Sequence, residues 1–440
     1  MTFCYVQNSV KVSMLKFFIL NLYFFKKLAI LNAYDHVLLT PDFNILQNRM
    51  KKSGIFGIIL VASLVLAFVV ICGCTGTTAP SPAATTSVTG TSSATTSITD
   101  GFERTVTVPS NPQKIVCSGS GCLRYIVYLG AQDRVVGVDS QETKDQVREA
   151  RAYAIANPQF KTQSLIGEMR GKDDPEKIIG ISPEVIFKTG STGTTYATSV
   201  PEADTLQNKT GIPVIAFPYG SLRTDAEKAE FYSALRLSGK TLGKDARAEE
   251  LIAYIENVTA DLEKRTQDIP ADQQKTVYIG GVSSAGAHGI ISTEPAYPPF
   301  LWVHAKNIAA GSDTQHADIS KEVIVDGDPE YLFIDLGTLQ MDSDGAIGEL
   351  KTNPAYAGLK AVKTGNVYGV LPYNFYNVNY ETVLADAYFI GKVLYPDRFS
   401  DIDPQQKADE IYTKFVGKPS LSAINAQYNN LGFTKINLTS

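Results

Sequence analysis

Asp174-Pro175-Glu176-Lys177-Ile178-Ile179-Gly180-Ile181-Ser182-Pro183-Glu184-Val185-Ile186 decides the fold, because the chain says it twice. The second version is Ile319-Ser320-Lys321-Glu322-Val323-Ile324-Val325-Asp326-Gly327-Asp328-Pro329-Glu330-Tyr331-Leu332. Each copy puts a Glu at the head of a short helix that runs through Pro-Glu into an apolar strand. A duplicated α/β unit is implied, and two related lobes can enclose something between them.

Around the first copy the elements alternate. Thr105 to Val108 and Lys114-Ile115-Val116-Cys117 are strands, a Gly/Ser turn leads into a helix from Leu123 to Leu129, and Arg134 to Val138 is the next strand. That order favours a parallel sheet, continued by Val185-Ile186-Phe187 and Pro213 to Phe217. From Thr224 to Asp268 the strand signal stops. Glu227 to Leu242 and Ala246 to Gln267 are helical, the second with Leu251, Ile252, Ile255, Val258 and Leu262 at three- and four-residue spacing. A stiff helical bridge between lobes predicts small relative motion.

The second lobe restarts at Thr276 to Ile279 and passes through a glycine-rich loop to His288-Gly289. A helix near Pro298 to Ile308, strands at Tyr331 to Asp335 and Val367 to Val370, and helices at Tyr380 to Leu394 and Pro404 to Phe415 follow. Beyond Gly417 the pattern is weak. The expected class is α/β: an N-terminal lobe over 100–223, a helical connector over 224–268 and a C-terminal lobe over 269–440.

Upstream, Met50-Lys51-Lys52 precedes an apolar run from Ile55 to Ile71 and then Cys72-Gly73-Cys74. A positive start, an apolar core and small residues before a Cys make a secretory signal. Ile71-Cys72-Gly73-Cys74 resembles a lipobox, which makes residues 50–74 a lipoprotein signal peptide and Cys74 the lipid-bearing residue. An uncleaved membrane anchor is the alternative, since the run approaches the ~18 to 20 residues that span a bilayer. Residues 1–49 lack caps and turn chemistry, so Met50 is the expected start. Residues 75–99 are mostly Thr, Ser, Ala, Gly and Pro, the composition of a disordered tether.

With 40 Lys and Arg against 45 Asp and Glu the net charge is -5, which argues against a nucleic-acid partner. Cys117 and Cys122 sit outside the membrane on this reading, where a disulfide is permitted. Two free thiols are the alternative; a metal site would need further ligands at short spacing. An enzyme is not expected. Ser118-Gly119-Ser120-Gly121 has Ser where a nucleophile elbow needs its first Gly, and no phosphate-binding GxxxxGK[ST] loop occurs. The Gly/Ser turn is either an anion-binding set of backbone amides or a tight βα turn that needs small residues.

From Gly101 to Phe415 the chain resembles the ABC-transporter solute-binding proteins that capture ferric siderophores, haem and vitamin B12, the iron/B12 periplasmic-binding domain family. The resemblance rests on Thr105 to Pro109 with Lys114 to Val116, on Leu129-Gly130-Ala131 through Val138, and on both Glu-helix copies. Gly211 to Val214, Leu242-Gly243-Lys244 and Gly365 to Tyr368 add to it. It implies the class III periplasmic-binding-protein fold: two Rossmann-like α/β sandwich lobes joined by one long helix, with the ligand in the cleft. It also implies a permease with its ATPase as partner, docked through Glu176 and Glu322; helix-start carboxylates facing the helix dipole are the alternative role for that pair.

The implied ligand is an iron chelate (siderophore or haem) or a corrinoid, with no cofactor. A free metal ion or a molybdate-type oxyanion on the same fold is the first alternative, and a surface adhesion or signalling protein the second. A lipid-anchored, extracytoplasmic monomer is expected. Clefts of this kind lie at the carboxyl ends of strands, which nominates Ser118, Ser120, Arg124, Tyr219, Arg223 and His288. Loops add Arg170 and Tyr196 in the first lobe, and Trp302, Tyr373 and Tyr376 in the second. Tyr and Trp offer flat faces to a chelate, Arg pairs with its carboxylates, and haem needs an axial His or Tyr.

Overall fold

A computed structural model describes residues 94–190, 198–311 and 316–438. The start at Met50, the signal peptide, Cys74, most of the tether and Tyr196 lie outside the described residues. Among the described residues no helix is long and apolar enough to cross a membrane.

Order begins earlier than the composition suggested. β1 (Thr95–Thr99) pairs antiparallel with β2 (Thr105–Pro109), Ile98 opposite Val106. The stretch assigned to the tether thus ends in a strand. Thr is a good strand former, and the one apolar side chain, Ile98, is buried with Val106 and Val108. Asp100 ties this hairpin down by accepting from the amides of Phe102, Arg104 and Ala216.

The first lobe is a six-stranded sheet. Its strands are β3 (Ile115–Ser118), β4 (Val135–Asp139), β5 (Ser164–Glu168), β6 (Lys172–Asp173), β7 (Val185–Gly190) and β8 (Val214–Pro218). They lie in the order β6-β5-β4-β3-β7-β8, parallel except for the β5–β6 pair. β3 and β7 are buried along their whole length, as strands covered on both faces by helices must be. The longer helices are α1 (Cys122–Tyr128), α2 (Pro175–Ile181), α3 (Val200–Thr210), α4 (Asp225–Leu242) and α5 (Asp245–Thr266). Gly243, at φ 65°, turns α4 into α5, and α5 buries Leu251, Ile252, Ile255, Val258 and Leu262 on its way to the second lobe.

In that lobe β9 (Thr276–Gly280), β11 (Lys306–Asn307), β13 (Tyr331–Asp335) and β14 (Val367–Val370) form a parallel sheet ordered β11-β9-β13-β14. A separate ribbon pairs β10 (Ser292–Thr293) with β12 (Ala317–Asp318). Helices α6 (Pro298–Trp302), α7 (Lys321–Gly327), α8 (Gly345–Thr352), α9 (Tyr380–Leu394), α10 (Pro404–Val416) and α11 (Leu421–Gln427) complete it. The helix expected to reach Ile308 stops at Trp302. His304 takes a left-handed φ of 51°, and Lys306–Asn307 then joins the sheet edge. α10 packs onto the first lobe, and the weakly patterned C-terminus beyond it is also ordered: α11 packs back onto the first lobe, and Phe433 and Ile436 donate to carbonyls of Gly369 and Val367.

The repeated sequence forms the same structure in both lobes. Asp174 caps α2 by accepting from the Glu176 and Lys177 amides, and Ser320 caps α7 by accepting from Val323. Ile178 and Ile324 are the buried residues of the two helices. Ser182 and Asp328 end them in the left-handed region. Glu184 and Glu330 then reach sideways, clamping the amides of Gln113 and Lys114 before β3 and of Thr276 at β9. The paired positions, 174 with 320, 178 with 324, 182 with 328 and 184 with 330, keep one offset of 146 residues.

Candidate ligand-binding site

The carboxyl ends of β3, β7 and β8 face those of β9, β13 and β14 through loops, and the predicted residues sort themselves around that line. After β3 the turn Ser118 to Gly121 is bracketed by a Cys117–Cys122 disulfide, Cα atoms 5.4 Å apart. Gly119 has φ 101°, and a Cβ there would stand 1.8 Å from the Thr189 carbonyl. The Cys122 and Arg124 amides are already bonded to Gly119 and Gly121. Of the two roles the sequence left open for this turn, close packing against β7 is the one the geometry supports. Ser118 is buried and donates to Asp173, while Lys188 donates to Asp173 at 2.6 Å and to the Gly171 carbonyl at 3.1 Å.

The loop after β14, residues 371–379, crosses from the second lobe to the first. Tyr376 and Asn377 adopt left-handed backbone, φ 51° and 74°. From there the Tyr376 hydroxyl donates to Asp139 at 2.5 Å and accepts from the Arg170 amide at 3.0 Å. Asn377 donates to the Ser120 carbonyl. Arg124 reaches the other way, donating to Asn379 at 2.7 Å, to the carbonyl of Phe375 and to the Tyr219 hydroxyl, and Tyr219 donates to the Val378 carbonyl at 2.9 Å. Beneath this seam lie aromatic rings: Tyr380 stacks on Phe231 at 3.6 Å, and Tyr128 meets Phe415 edge-on at 4.8 Å.

Ser120, Arg124, Arg170, Tyr219 and Tyr376 therefore come together, with Ser118 one step behind. Arg223 pairs with Glu227 and stands 3.8 Å from Glu294, whose carboxylate also accepts from Tyr373. Tyr219, Trp302 and Tyr373, expected to offer flat faces to a ligand, lie in the hydrophobic core instead, 0%, 8% and 2% exposed. Large side chains in apolar surroundings bury where packing allows. His288 lies in the loop after β9, its ring centroid 5.2 Å from that of His316. Glu176 and Glu322 are exposed on the two lobes.

The seam's charges are set by burial. The Asp139 carboxyl is pushed up to about 7, by burial first and then by the neighbouring Glu142 carboxylate, with the Tyr376 hydrogen bond opposing. Asp335, at the end of β13, is pushed by burial up to about 8 against the Gly337 amide that it accepts from. Arg124 holds its proton firmly: burial works against its charge, but Tyr219, Tyr128, Tyr153 and Glu381 outweigh it. Asp139, Asp173, Lys188, Asn377 and Asp335 were not expected here. Asp139 and Asp335 share one legible signal: each ends an apolar strand with a carboxylate.

Three comparisons bear on this arrangement. A family model described as periplasmic binding protein matches residues 115–373. The molybdate-binding protein MolA of Haemophilus influenzae is 23% identical over 337 residues, covering 72% of this chain and 90% of MolA. The structure of MolA bound to molybdate superposes with a TM-score of 0.58 at 20% identity, over 74% of this chain and 98% of that one. The ABC transporter substrate-binding lipoprotein YvrC of Bacillus subtilis is 22% identical over 353 residues, 80% of this chain and 99% of YvrC. The petrobactin-binding protein YclQ of the same organism is 25% identical over 274 residues, 59% of this chain and 75% of YclQ.

Proposed function

Since this chain belongs to the periplasmic binding protein family, we propose that it is the extracytoplasmic solute-binding component of an ABC importer, lipid-anchored through Cys74. It captures a metal species between its lobes, hands it to a permease driven by an ATPase, and does no chemistry on it. The first reading of the solute is a ferric chelate, siderophore or haem, or a corrinoid. The observation that carries the proposal is the polar seam at the strand ends, where the Tyr376 hydroxyl meets Asp139 and the Arg170 amide, and Asn377 meets the Ser120 carbonyl, between two lobes of matching construction. Anionic oxygens of a chelate suit hydroxyl and amide donors of this kind. The relatives named for petrobactin and molybdate, and one named as a lipoprotein, support the class of solute and the anchor.

A specific observation favours a second reading, a compact oxyanion of the molybdate type. Tyr219, Trp302 and Tyr373 are all buried, so three of the aromatic faces that a broad chelate would stack on are used in packing.

Calorimetric titration separates the readings. Ferric citrate, a ferric hydroxamate, haem, cobalamin and molybdate are titrated into the wild type, Arg170→Ala and Tyr376→Phe. One of these solutes should bind one-to-one and lose at least about tenfold in affinity in both variants, the size expected for a lost charge-assisted hydrogen bond. Binding of none of the five, or affinities indifferent to both substitutions, would overturn the assignment.

A further inference from the structure

A second cluster lies wholly within the second lobe. His288 comes from the loop after β9, and His316 and Asp318 from the segment that pairs with β10. One ligating atom from each of the three lies within 4.8 Å of the others. Both imidazoles are half-buried and Asp318 is exposed, so the cluster is open to solvent on one side.

The hydrogen bonds around it leave lone pairs on His288, Ser292 and Asp318, and a proton on His316 Nε2. His288 Nε2 is 2.8 Å from the Ser284 carbonyl, which can only accept, so Nε2 carries the proton and Nδ1 the lone pair. Such a carbonyl is the usual outer partner of a metal-ligating imidazole, fixing its tautomer and orientation. His316 Nε2 lies 2.9 Å from Ser292 Oγ and 3.4 Å from Asp318 Oδ1. Ser292 gives its single proton to the Val282 carbonyl at 2.6 Å, so Ser292 Oγ and Asp318 both offer electron pairs to whatever sits against that nitrogen. A cation can take the place of the Nε2 proton there, as metal binding to an imidazole requires.

We propose that His288, His316 and Asp318 bind a divalent transition-metal ion of the zinc class, at a site separate from the seam between the lobes. Two imidazole nitrogens and one carboxylate oxygen suit a borderline-soft ion and leave at least one coordination position for water or an outside ligand. Ligands about 2.0 to 2.2 Å from a tetrahedral ion stand roughly 3.4 Å from one another, so small rotations of partly exposed side chains bring the set into range. The bound ion would pin the glycine-containing loop of residues 281–289 to the β10–β12 ribbon.

The test uses the whole protein, with Zn2+ measured by chelator competition and Co2+ by visible absorption. One equivalent should bind, and His288→Ala and His316→Ala should each weaken it by at least about 100-fold, since even loss of an outer partner costs 10- to 100-fold. Asp318→Asn alters an exposed side chain and keeps the test decisive if a histidine variant fails to fold; it should weaken the ion too. His304→Gln, whose ring instead meets Thr266, and Tyr376→Phe at the seam should leave affinity unchanged. Absence of one-to-one binding, wild-type affinity in the folded members of the first three variants, or loss of the ion in Tyr376→Phe would each overturn the proposal.

Discussion

Tyr376 reaches across 237 positions of sequence to Asp139, and the burial of that carboxyl beside Glu142 makes the seam sensitive to pH despite the hydrogen bond. With its carboxyl raised from 3.8 to about 7, Asp139 contributes stability that is full below the unfolded value of about 3.9 and is lost as pH rises through about 7. The whole effect is on the order of 4 kcal/mol at most, and the raised Glu142 acts in the same sense. Denaturant midpoints from pH 4 to 8 should therefore fall in the wild type and fall distinctly less in Asp139→Asn; parallel profiles would contradict the assignment. Tyr376 was nominated from its aromatic, Asn-rich run, whereas Asp139, a carboxylate closing an apolar strand, was not; their pairing was out of reach because it exists only where two chain segments meet in space. Trp302 and Tyr373 mark the converse, since nothing local separates an aromatic residue that lines a cleft from one that fills a core.

Among the elements, the Glu-helix pair was the most legible, because a cap, a Pro, a helix and a strand recur at one fixed offset and each part has its own local cause. The long helices α4 and α5 were legible for a similar reason: their apolar spacing repeats over many turns. Short elements were not. β1 is hidden in a Thr-rich run, and Lys306–Asn307 is a strand only because the edge of β9 is there to accept it. The turn after β3 gives an element-scale prediction. Its disulfide closes a loop of sequence separation 5, for which the chain-entropy account gives about 2 kcal/mol, below the ~3 of a 15-residue loop. The double variant Cys117→Ser/Cys122→Ser should lower the unfolding free energy by about that amount with ligand affinity retained. A loss of ligand binding while the fold persists would show that the turn itself holds the solute.

Across the whole molecule, α9, α10 and α5 join the lobes through a continuous hydrophobic core. On the proposed function, Glu176 of the first lobe and Glu322 of the second serve together as the docking pair. Both are exposed, and each has an apolar residue on the same helix that is also exposed, Ile179 at 47% and Val325 at 37%. Serine and backbone donors at the head of α7 hold the Glu322 carboxyl below its ordinary range, its own amide first and then Ser320, so it stays charged at neutral pH. A pair of that kind suits a partner surface bearing cations with apolar ground between them. On the proposed function, the chain binds its solute in one place and delivers it from another. For Glu176→Lys/Glu322→Lys, with uptake and affinity measured side by side, uptake should be abolished while the dissociation constant stays within about twofold. Uptake that survives the double reversal, or affinity that falls with it, would rule out delivery through these two glutamates.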